Sequence, residues 1–167
     1  MIFGILVFLT LNKNSKSSFE NSNYQYEAWA DKGGYYIYLP WAVNYGFDVS
    51  EMDESLPDKL GNGFKFEEGK LMSKYVIGVA VLQAPFYLLG HINALCLYDQ
   101  PTGFEKVYMN WIGVGSVFYL LMSMLFAYRL LRKMTGVRNA ILAMLLVLMG
   151  TNLFYYSIDE TLMSHVY

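Results

Sequence analysis

A small set of side chains in this sequence has the type and position to do chemistry. Asp31 stands just before 33–47 (GGYYIYLPWAVNYGF), a segment rich in Tyr and Trp that carries no charge. A carboxylate there faces water on one side and an apolar surface on the other. Glu27 lies four residues earlier. On a helix the two acids would share a face and form a pair able to hold a divalent cation. The plainer readings are that Asp31 caps a helix starting near Tyr35 and that Glu27 is solvated. Lys74 precedes a long apolar run. It would reach a lipid phosphate as a point charge, or serve as a snorkelling anchor. His165 follows the last apolar run beside Asp159 and Glu160, where an imidazole can bind a phosphate or a hydroxyl; histidines at a membrane edge are also commonly structural. Tyr35, Tyr36, Tyr38 and Trp41 suit stacking on a sugar or lining a lipid groove, and equally an aromatic belt. His91 reads as a packed or interfacial histidine.

Several chemistries are missing. Gly61-Asn62-Gly63 is a turn, with no phosphate-cradling glycine loop leading into a helix. Two histidines, 74 residues apart, and a single cysteine do not make a zinc site or a disulfide framework. No Asn lies in a glycosylation sequon.

The elements that must hold these residues are set by composition. Of 167 residues, 55% are hydrophobic and 16% charged, against about 25% charged in soluble domains. The net charge of −2 and the absence of a long basic stripe argue against nucleic acid as a partner. Residues 1–11 are apolar and long enough for about half a bilayer. They read as the end of a first membrane helix. Residues 12–75 hold ten acids and seven lysines. Within them 12–23 read as a mobile linker, 33–47 as an interfacial segment, and 48–70 as an exposed acidic loop. Residues 76–98, 107–128 and 140–158 are uncharged runs of 23, 22 and 19 residues, each of a length to cross a membrane. The first is the poorest span, because Gln83, Pro85, His91 and Asn93 interrupt it. Gln83, His91 and Asn93 fall within an arc of about 160° on a helix, which suits a helix half-buried in the interface.

Sidedness follows from 129–139. Arg129, Arg132, Lys133 and Arg138 sit there with no acid, which places this loop in the cytoplasm. If 76–106 is juxtamembrane or re-entrant and does not cross, 12–75 and the tail 159–167 both lie outside. The expected fold is all-α: polytopic membrane helices with an external loop containing interfacial juxtamembrane helices.

Three stretches then carry a resemblance: AWADKGGYYIYLP at 28–40, SKYVIGVAVLQAPFYLLGH at 73–91, and GTNLFYYSIDETLMSHVY at 150–167. In that order the sequence resembles membrane glycosyltransferases of the C superfamily, the bacterial branch of aminoarabinose transferases and protein mannosyltransferases. It departs from them at Asp31-Lys32, where an acidic pair or Asp-Gly is common, and at Lys74-Tyr75-Val76, where Lys-Pro or Tyr-Pro is common. The resemblance implies a multi-pass protein of the cytoplasmic (inner) membrane, with this chain as the N-terminal portion of a larger enzyme. It implies transfer of a sugar from a polyprenyl-phosphate donor to an acceptor on the outer face. In that role Asp31 would serve as general base or orient the acceptor. Glu27, Tyr35, Tyr36, Lys74 and His165 would bind substrate. The implied partners are membrane lipid, the lipid-linked sugar donor and the remaining membrane helices; a divalent cation is the one cofactor suggested. The alternative is a non-catalytic membrane scaffold or transporter subunit. There, 76–98 crosses, its polar residues line a bundle interior, and 12–75 is a docking surface.

Overall fold

A computed structural model describes residues 2–16 and 27–167. Of the expected 12–23 linker, residues 12–16 are helical, a correction to that expectation, and from 17 onward it lies outside the described residues. The chain is mostly helical. Helix α1 (Ile2–Lys16) is followed by two short helices, α2 (Asp31–Tyr36) and α3 (Tyr38–Val43), which meet at Ile37. They cover the Tyr-rich segment. A turn of helix, α4 (Leu56–Lys59), leads into a two-stranded antiparallel hairpin, β1 (Phe64–Glu67) and β2 (Lys70–Ser73).

The hairpin corrects the loop expected over 48–70 and adds strands to a fold expected to be all-α. Its physical basis is local. Phe64 is buried, Lys65 exposed, Phe66 half-buried and Glu67 exposed, the two-residue alternation of a strand with one face covered. The turn residues Glu68 and Gly69 have φ of 51° and 72°, the pair of positive values that a two-residue hairpin turn requires.

Helix α5 (Gly78–Leu97) runs 20 residues and α6 (Lys106–Thr135) runs 30, about 30 and 45 Å. Both are long and apolar enough to cross a membrane. They lie antiparallel. Gly90 faces Tyr108 and Trp111, Gly115 faces the Phe86 ring, and the Tyr119 hydroxyl donates to the Leu82 carbonyl at 2.8 Å. The two glycines let the helices approach closely.

α6 does not stop at Tyr128. Leu, Arg, Lys and Met are good helix formers, and cations suit a helix C-terminus, so the helix carries the basic residues on to Thr135. Gly136, with φ 83°, ends it. α7 (Val137–Gly150) starts at once, so the expected loop at 129–139 is a single-residue break between helices. The 140–158 run is likewise two helices. Thr151 is extended, its hydroxyl donates to the Val147 carbonyl at 2.6 Å, and it accepts the Leu153 N–H at 3.2 Å. A threonine that bonds its neighbours' backbone this way competes with the helix ladder, and α8 (Leu153–Ile158) begins afresh. A 3₁₀ turn, Ser164–Val166, closes the chain.

The core lies between the 27–75 unit, one face of α5 and the start of α6. Tyr36, Ile37, Leu60, Tyr87, Tyr108 and Ile112 are fully buried there. On α5 the inward residues include Gln83 and Tyr87, while Val81, Leu82, Leu88, Leu89, Ile92 and Leu95 are exposed. Of the polar arc, Gln83 is buried and His91 half-buried against protein partners, the inward direction that the scaffold alternative expects, while Asn93 is exposed. The apolar side is left outward. On α1 Ile2, Ile5 and Phe8 are exposed, and on α7 Leu142, Leu145, Leu146 and Met149. Exposed apolar surface this extensive marks contact with an apolar medium or a partner.

Candidate functional site

α2 begins at Asp31 itself. The residue in the capping position is Ala30, with φ 53° and ψ −118°, and it makes no side-chain cap bond. That backbone conformation is costly for any residue with a Cβ. It is held by the Ala30 N–H, which donates to the Leu60 carbonyl at 2.7 Å, and by Gly63, where a Cβ would lie 2.2 Å from the Ala30 carbonyl oxygen. Asp31 is therefore the first helical residue rather than the cap, and its charge sits favourably at the positive end of the short helix.

Asp31 is exposed, and the Tyr75 hydroxyl donates to its Oδ1. The Tyr75 ring lies across Gly34, where a Cβ would fall 2.2 Å from a ring carbon, and against Tyr35, with centroids 4.4 Å apart. Ser73 fixes the approach, donating to the Gly34 carbonyl at 2.7 Å and accepting the Tyr75 N–H at 3.2 Å. The bond to the carboxylate, with partial burial and the nearby negative charge, pushes the Tyr75 phenol up to about 12. At neutral pH it stays a donor and fixes the orientation of Asp31.

Glu27 does not share a helix with Asp31. It lies in a turn, nearly buried, and accepts from Lys13 Nζ at 2.6 Å. The same ammonium donates to the Asp159 carbonyl at 2.6 Å, so one lysine ties α1, the turn and the tail together. Lys32 pairs with Glu160 at 2.7 Å. These contacts bring the 27–32 turn and the 159–167 tail to one end of the molecule. The cation suggested by two adjacent carboxylates finds Glu27 already matched to Lys13. Among the described residues no group of three or more His, Cys, Asp or Glu could hold a metal ion.

Lys74 is exposed and precedes Tyr75 in the chain, with no hydrogen bond or ion pair to Asp31 among the described residues. It lines an open cleft of about 380 Å³ with Asn62, Phe64, Lys65, Met72 and Ser73. His165 is exposed, its ring 4.1 Å from that of Tyr156. Tyr35 is half-buried beside Asp31, but Tyr36 is wholly buried and points into the core, its hydroxyl donating to the Gly103 carbonyl. Burial holds its phenol well above the usual range. Tyr36 thus packs the core and presents no surface to a substrate. Trp41 also joins the core, and the Tyr38 hydroxyl donates to the Tyr75 carbonyl at 2.6 Å.

Two features were not read from the sequence. One is Tyr75 as the partner of Asp31, 44 residues away. The other is a polar relay at the far end of α5, made by Asn44, Tyr87, Tyr108 and His91, beside an open cleft of about 640 Å³. Only the polar interruptions in 76–98 hint at it.

Asn44 and Pro101 are bonded to each other at 2.7 Å. Both ends of α5 thus touch the single unit 31–44: Tyr75 through Asp31 and Tyr38, and the 98–108 region through Tyr36 and Asn44. Through Tyr36 and Asn44 that unit touches the N-terminal end of α6, while its Asp31 end lies at the start of α5, which runs beside the middle of α6 near Tyr119. Arg129, Arg132, Lys133 and Arg138 cluster at the far end of α6 and the start of α7. No family model, no curated protein and no solved structure matches the chain.

Proposed function

We propose that the chain is the N-terminal part of an integral membrane glycosyltransferase that moves a sugar from a polyprenyl-phosphate donor to an acceptor on the outer face of the cytoplasmic membrane. The observation that carries this reading is the position of Asp31. It is exposed, oriented by Tyr75, and gathered with the 159–167 tail away from the basic turn that ends α6. With the basic turn in the cytosol, Asp31 lies outside. α5, strapped at both ends to that unit, runs antiparallel beside the first half of α6 and in this reading does not cross, its apolar side turned toward lipid.

The chemistry follows. Phosphate is a good leaving group, so transfer mainly needs a carboxylate at the acceptor hydroxyl and cations at the phosphate. Asp31 takes the acceptor proton as the hydroxyl oxygen attacks the anomeric carbon, and the C–O bond to the polyprenyl phosphate breaks with inversion. Lys74 suits the departing phosphate as a point charge, and His165, exposed on the tail, is the second group assigned to it.

Two experiments test the reading. In membranes carrying the complete reading frame, Asp31→Asn is expected to abolish transfer without lowering expression; retained transfer removes Asp31 from the mechanism. Ser55→Cys in a Cys96→Ser background is expected to react with an impermeant thiol reagent on intact cells. Reaction only after lysis would support the scaffold or transporter reading instead, with α5 as a true span.

A further inference from the structure

The relay at the C-terminal end of α5 runs from Tyr87 through Asn44 and Tyr108 to His91. The Tyr87 hydroxyl donates to Asn44 Oδ1, and Nδ2 reaches the Pro101 carbonyl at 2.7 Å and the Tyr108 oxygen at 3.2 Å. A phenol oxygen can accept twice, but donation to His91 Nδ1, 2.7 Å away, also uses the Tyr108 proton. In that arrangement neutral His91 carries its proton on Nε2, and the ring lines the open cleft of about 640 Å³. Gly103 keeps the relay closed, because a Cβ there would lie 2.3 Å from the Tyr87 hydroxyl oxygen and 3.0 Å from Asn44 Oδ1.

The lining defines the class of ligand. No Lys or Arg lines the cleft, and Glu51 does, which disfavours phosphates and other anions. Glu51 is exposed, so as a lone solvated carboxylate it holds an amine only weakly but accepts well from hydroxyls. Val43, Leu95 and Pro101 give an apolar wall. An oriented N–H donor, a carboxylate acceptor and an apolar wall match a ring with hydroxyls at its edge and C–H groups on its face. We propose that this cleft binds a neutral sugar ring, with His91 Nε2–H and Glu51 gripping its hydroxyls. The site lies at the opposite end of α5 from Asp31 and does not depend on the transferase reading.

The test uses the full chain, purified in a detergent without a sugar headgroup. Methyl α-glucoside, α-galactoside and α-mannoside are titrated by saturation-transfer NMR, with inorganic phosphate as the anionic probe. At least one glycoside is expected to saturate, and phosphate not to compete. Glu51→Gln and His91→Phe are each expected to weaken that glycoside about five-fold, the loss of one good hydrogen bond. Lys70→Ala on the hairpin is expected to leave it unchanged. Independently of ligand, nitrogen-15 NMR of wild-type His91 is expected to show the Nε2–H tautomer, with Tyr108→Phe abolishing that preference. The proposal is overturned by no saturable glycoside, by affinity unmoved in both cleft variants, by competition from phosphate, or by a wild-type Nδ1–H tautomer.

Discussion

Gly34→Ala reverses a familiar sign. Inside a helix, replacing glycine by alanine ordinarily stabilises by about 1 kcal/mol. Here the new Cβ would fall 2.2 and 2.6 Å from two ring carbons of Tyr75 and 2.8 Å from the Gly63 carbonyl oxygen, well inside the roughly 3.5–4.0 Å of a favourable carbon contact. Tyr75 can swing away only by leaving Asp31. Gly63 cannot move easily, because its own α-carbon is pressed against the Ala30 carbonyl. Overpacking of this kind costs about 1–3 kcal/mol. Set against the propensity gain, the net is a destabilisation of up to about 2 kcal/mol, or up to about 8 °C in Tm for a chain of this size. Thermal unfolding in detergent, followed by tryptophan fluorescence, measures it. In a Tyr75→Ala background much of the cost is expected to vanish, giving a coupling of at least about 1 kcal/mol. A variant stabilised by the full propensity gain of about 1 kcal/mol would refute the close packing of Tyr75 on α2 and with it the positioning of Asp31.

Other predictions follow from the same edge. The Tyr75 phenol, at about 12, is expected to fall toward its ordinary value near 10 in Asp31→Asn, since an amide removes the negative charge; carbon-13 tyrosine NMR reads this directly. Because the folded value is the higher one, Tyr75 contributes stability that is fully present below pH 10 and lost between about pH 10 and 12, a loss Asp31→Asn should shrink. Lys13→Met is expected to destabilise more than Glu27→Gln. The first leaves a carboxylate at 4% exposure without its cation, while the second leaves a lysine at 27% exposure that can rehydrate; removing one partner of a fully buried pair costs about 3–5 kcal/mol, an upper bound for both. Ala30→Gly is expected to raise Tm, by relieving a φ of 53° that costs alanine about 1 kcal/mol or more.

Much of the helical frame was legible because the apolar runs are long. The 107–128 run lies wholly within α6, and 76–98 brackets α5 within two residues at its start and one at its end. What the runs concealed is where helices pause. Thr151 breaks 140–158 through a side-chain bond that hydropathy does not register, and the basic residues after Tyr128 continue a helix because charge does not end one. The hairpin was hidden by its charges, since KFEEGK reads as loop although its alternation is that of a strand. At the site, Asp31 could be singled out by its setting, but Tyr75 could not, because nothing local links residues so far apart. The polar arc of α5 was visible and its direction was not. Gln83 and His91 turn inward because Leu162 and Tyr108 receive them, and partners of that kind exist only after folding.

The strap on α5 also has a bearing on the order of synthesis. The shared interior collects Ala28 through Phe64, then Ala80 to Ile112, and finally Leu162. An emerging chain cannot close the 27–75 unit until residues well past α5 have left the ribosome, because Gly103 and Tyr108 supply bonds that Tyr36 and Asn44 require. Until then the newborn segment keeps open aromatic and amide groups beside a helix that is greasy on its other side. Such a chain gains by being delivered to the bilayer early, with lipid shielding α5 while its polar face waits for the rest of the protein.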